Sequence, residues 1–68
     1  MEELKIEYNK NLYRFKRYIE FKQTQEYKQD KTRYEDEAYK ILEKMDKILK
    51  ELETLGLTIT EEIVENGF

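Results

Sequence analysis

The architecture turns on residues 3–21, ELKIEYNKNLYRFKRYIEF, because this stretch satisfies two incompatible periodicities at once. From Glu3 to Tyr8 polar and apolar residues alternate without a break, and Tyr13-Arg14-Phe15-Lys16 resumes the alternation after the turn-like Asn9-Lys10-Asn11. Strict alternation is the pattern of a half-buried strand, and the Tyr, Phe and Ile of Leu12–Phe21 suit a pleated surface. A two-residue loop at Asn9-Lys10 pairs Ile6 with Tyr13, Leu4 with Phe15 and Glu2 with Arg17, leaving Lys5, Glu7, Arg14 and Lys16 on the opposite face with Lys5 against Arg14; a four-residue loop brings Lys5 opposite Lys16 instead, so both registers stay open. The competing pattern is helical. Leu4, Tyr8, Leu12, Phe15, Tyr18 and Ile19 share one helical stripe, while Ile6, Tyr13 and Phe21 point away from it. The hairpin misplaces only Leu12 and Tyr18. On that margin the expected fold class is α+β, with a β-hairpin over 3–21; an all-helical hairpin is the alternative.

The following segments are easier to read. Tyr34, Ala38, Ile41, Met45, Ile48, Leu52 and Leu55 recur in alternating steps of three and four, and Leu42 and Leu49 widen the stripe by one position. This is an amphipathic helix with a heptad seam, expected over 32–55. Thr32 and Glu35 have the spacing of a capping box at its start. Gly56 allows the left-handed turn that ends it, with Leu57 folding back toward Leu52. Thr60 followed by Glu61 and Glu62 then predicts a short helix over 61–66. Between the two halves, Lys22–Arg33 is polar apart from Tyr27 and carries no helix breaker.

A chain of 68 residues is expected to form one small domain, 1–68, with a core worth only about 3–5 kcal/mol. No cysteine is available for a disulfide and no histidine for a metal site, so neither metal nor cofactor is expected. Roughly 22 helical residues present about 33 Å of apolar stripe, more than a small hairpin can cover. Self-association through Ile41, Met45, Ile48 and Leu52, giving a homodimer, is therefore expected. No apolar run is long enough for a membrane span or signal peptide, and the expected location is cytoplasmic.

Charge and aromatic residues point to function by docking. With no histidine, cysteine or serine and no phosphate-binding glycine loop, the catalytic constellations are missing, and the chain reads as a non-enzyme. Six tyrosines exceed what so small a core can hold, and tyrosine is favoured at protein interfaces. Tyr13, Tyr18, Tyr27 and Tyr39 are the candidate residues of a protein-binding surface, in a small regulator or inhibitor module. A second reading is nucleic-acid binding through Lys10, Arg14, Lys16, Arg17 and Lys22, which alternate with aromatic rings. A third follows from charge asymmetry. Met1–Arg33 carries nine basic against six acidic residues, whereas Tyr34–Phe68 carries four against ten. Glu35, Asp36, Glu43, Asp46, Glu51 and Glu53 could thus act as an acidic mimic of nucleic acid.

Overall fold

The computed structural model describes residues Met1–Phe68, which form four helices: α1 (Glu2–Phe21), α2 (Gln25–Gln29), α3 (Lys31–Thr54) and α4 (Glu61–Asn66). With 81% of the chain helical and no strand, the fold is all-α, which overturns the α+β class and the β-hairpin expected over 3–21. The reason is length and period. A 20-residue α1 covers roughly 30 Å of the roughly 36 Å that the 24-residue α3 offers. Hairpin strands of about six residues would reach only about 20 Å. The aromatic and β-branched residues of α1 cost at most a few tenths of a kcal/mol each in helix propensity, so packing of a matched stripe outweighs them.

Tyr8 and Leu12 of α1 pack against Met45, Ile48 and Leu52 of α3 in one buried cluster. Early α1 thus meets late α3, and the two helices run antiparallel as a rod of 43 × 18 × 18 Å. Ile41 packs on the same cluster. The stripe assigned to self-association, Ile41, Met45, Ile48 and Leu52, is accordingly turned inward onto α1. A helical α1 supplies within the chain the partner that a short hairpin could not.

The connections follow from particular side chains. Thr24 donates its hydroxyl to the Phe21 carbonyl (2.7 Å) and accepts from the Tyr27 amide (3.4 Å), so one residue closes α1 and caps α2. The capping box expected at Thr32 and Glu35 does not form. α3 begins earlier, at Lys31, after Asp30, whose side chain makes no capping bond, and this places Thr32 inside the first turn. At the other end Gly56 takes φ 98°. The Gly56 amide bonds to the Glu53 carbonyl (2.9 Å) and the Leu57 amide to the Leu52 carbonyl (3.0 Å), the paired bonds of a Schellman ending.

The chain then returns along the hairpin. Leu57 and Ile59 pack on the core, and the Thr60 hydroxyl accepts from the Ile63 amide (3.3 Å) at the start of α4. Three hydrogen bonds tie the last residues to α1. Tyr8 donates to the Val64 carbonyl (2.7 Å), Asn9 Nδ2 donates to the Phe68 carbonyl (3.0 Å), and the Phe68 amide donates to Asn9 Oδ1 (2.7 Å). Phe68 also meets the Tyr8 ring edge to face at 5.6 Å. Asn9 and Asn11, read in the sequence as turn residues, are interior to α1. Asn11 is buried, with its amide donated to the Glu7 carbonyl (2.9 Å) and its Oδ1 unpartnered. No helix is long and apolar enough to cross a membrane.

Candidate functional site

Beyond the aliphatic cluster, toward the end of α1, the packing becomes aromatic. Phe15 stacks on Tyr18, Tyr18 and Phe21 meet Tyr27 edge to face, and Phe21 meets Tyr34 at 4.7 Å. Such pairs add about 0.5–1.5 kcal/mol each beyond the area they bury. Their hydroxyls are chained. Tyr18 donates to the Tyr27 hydroxyl (3.4 Å), which donates to Glu35 Oε1 (3.0 Å). The hydrogen bond shared with Tyr18, burial, and the bond to the Glu35 carboxylate together hold Tyr27 well above the ordinary tyrosine pKa. Glu35, expected to cap α3, instead receives this chain.

A groove of about 320 Å³ lies alongside the cluster, between α1 and α3. Phe15 and Tyr18 line it from α1, Ala38, Tyr39 and Leu42 from α3, and Lys22 and Glu35 supply its charged groups. Ala38 is buried, whereas Tyr39 is 66% exposed and Leu42 40% exposed. The surface is therefore a small recess with a mainly hydrophobic lining, two charged groups and a tyrosine at its edge.

The four tyrosines assigned to protein binding separate. Tyr18 and Tyr39 come together in the groove. Tyr27 is only 5% exposed and serves as the hub of the aromatic cluster, so it lies in the interior and not at an exposed surface. Tyr13 lies elsewhere, exposed on α1 beside Ile6, Asn9, Lys10 and Arg14. The sequence reading missed Phe15, Ala38 and Leu42 as groove residues. One signal was available: Leu42 falls beside the seam and one turn from Tyr39, so the pair widens the apolar surface away from the core.

Lys10, Arg14, Lys16, Arg17 and Lys22 are all exposed, and none forms an ion pair. Lys22 borders the groove, and the Arg17 guanidinium sits 6.0 Å from the Tyr13 ring. In a strand Arg14, Lys16 and Tyr18 would share a face; in the helix Tyr13 takes the aromatic place and Tyr18 turns to the groove. The acidic residues of α3 do not make a continuous rod. Lys40, Lys44, Lys47 and Lys50 interrupt them, and Asp46 pairs with Lys50 at 2.9 Å, raising the lysine pKa through that bond and its charge. No group of three or more carboxylates converges as a metal site.

No protein-family model, curated protein sequence or solved structure matches the chain.

Proposed function

We propose that the chain is a small non-catalytic docking module, of regulator or inhibitor type, that binds another protein through the groove between α1 and α3. The observation that supports this most is the placement of Tyr39, exposed at the edge of a recess whose lining is already preorganised by the aromatic cluster behind it. A tyrosine held at such an edge offers large amphipathic area at little entropic cost, which is how interface hot spots are built. The groove's one carboxylate, Glu35, is occupied by the Tyr27 hydroxyl, so acid–base chemistry is not part of the reading.

A photo-cross-linking phenylalanine analogue placed at position 39 tests this in the source cells. The expected result is one discrete adduct with a second protein, lost when Leu42→Glu places a charge in the groove. An adduct indifferent to Leu42→Glu, or obtained equally from the solvent-facing position 47, would move docking away from the groove.

A further inference from the structure

The outer face of α1 has its own composition, independent of the groove. Ile6, Asn9, Lys10, Tyr13 and Arg14 form a shallow hollow of about 460 Å³ there. Tyr13 is 63% exposed and Ile6 53% exposed, so neither contributes to the core. Lys10, Arg14 and Arg17 recur at one-turn spacing around Tyr13, with Lys16 adjacent, and none of the four has a carboxylate partner. Arg17 rests near the Tyr13 ring and leaves the rest of that exposed ring accessible.

We propose that this face of α1 binds single-stranded nucleic acid, Tyr13 stacking on a base while Lys10, Arg14 and Arg17 contact the flanking phosphates. Free cations arranged around an exposed ring are the two requirements of single-strand binding, phosphate neutralisation and a stacking platform. Lys10 to Arg17 spans roughly 10 Å of helix, enough for a few nucleotides. Glu7 on one side and Glu20 on the other limit the stripe to that length. A duplex fits less well, because its bases are already stacked and leave Tyr13 nothing to cover. A bilayer also fits less well, since an interfacial helix needs a broad apolar face, and the apolar face of α1 is turned onto α3.

Fluorescence anisotropy with labelled 20-nucleotide oligo-U RNA and oligo-dT DNA tests the proposal between 50 and 200 mM salt. Release of counterions from three or four phosphates weakens single-strand binding by about 20- to 50-fold over that range. Arg14→Glu with Arg17→Glu is expected to abolish binding. Tyr13→Ala lowers affinity at least about fivefold without changing the salt slope, and Tyr13→Phe, which keeps the ring, restores most of it. All these side chains are exposed, so circular dichroism should report an unchanged helix content. Tyr39→Ala in the groove leaves oligonucleotide affinity unchanged, which separates this proposal from the docking one. The proposal is overturned by no binding at 50 mM salt, by preference for duplex, or by affinity indifferent to Tyr13→Ala or to the arginine reversals. Binding to phosphatidylserine-containing vesicles without binding to either oligonucleotide overturns it equally.

Discussion

At one end of the α1–α3 pair, Tyr8, Leu12, Met45, Ile48 and Leu52 form a largely aliphatic cluster, and the chain returns over it through Leu57, Ile59 and Phe68. At the other end, Phe15, Tyr18, Phe21, Tyr27 and Tyr34 form a cluster of rings that α2 crosses but whose side stays open along the groove. The first end is sealed by a segment of the same chain; the second keeps Tyr39 and Leu42 at the surface. On the proposed reading, stability and docking fall at different ends of one helical hairpin. Substitutions at the sealed end should unfold the chain, and substitutions of the exposed groove residues Tyr39 and Leu42 should spare the fold.

The largest effect is expected at Leu52, which is fully buried at the sealed end. Leu52→Ala should cost about 2–5 kcal/mol, comparable with the whole stability of a domain this size, and thermal melting should show a largely unfolded chain at room temperature. Next comes Gly67. Its φ is 85°, and a Cβ there would lie 2.5 Å from Asn9 Oδ1. Gly67→Ala should cost about 1–3 kcal/mol and speed amide exchange over α4, while exchange in the aromatic cluster stays slow. Protection lost equally at both ends would mean that the ends are one cooperative unit.

A smaller effect is expected at Tyr27. Tyr27→Phe removes its bonds to Tyr18 and Glu35 and should lower stability near neutral pH by less than either preceding substitution. The pH dependence has a definite sign. The folded state raises the pKa of Tyr27, so the proton is held more tightly when folded. That contribution is fully present below the unfolded tyrosine pKa of about 10 and is lost as pH rises above it toward the folded value. Tyr8, whose pKa burial raises in the same direction, adds a second alkaline loss at the sealed end. Urea unfolding at pH 8 and pH 11 should therefore show a drop that Tyr27→Phe reduces and does not eliminate. The smallest effect on folding belongs to Tyr39→Ala, within about 0.5 kcal/mol, although it should remove the docking adduct.

The legible part of the fold was α3, where the stripe from Tyr34 to Leu55 admits one period and Gly56 admits one ending. The illegible part was α1, for reasons that lie outside its own sequence. Asn9 sits inside a helix, and its side chain holds the main chain of Phe68, nearly sixty residues away. Asn11 is buried against α3 rather than placed in a turn. Tyr13 and Ile6 favour strands, yet they are exposed on a helix whose other face decides the packing. Read by composition, these residues favour a hairpin; the competition is settled by the stripe on α3 that only a long helix can cover. The candidate site divides in the same way. Tyr18 and Tyr39 were visible as tyrosines in excess of the core, but their meeting depends on the pairing of α1 with α3, and so does the inclusion of Phe15 and Ala38. The burial of Tyr27 was not legible because an isolated tyrosine in a polar run gives no sign that three other rings gather around it.

Light scattering across a wide concentration range tests most directly whether α1 covers the α3 stripe within one chain. The expected result is a mass of 8.5 kDa at every concentration, with helix content independent of dilution. A stable species of twice that mass, which loses helix content on dilution, would contradict it, because the α3 stripe would then be satisfied by a second copy and not by α1.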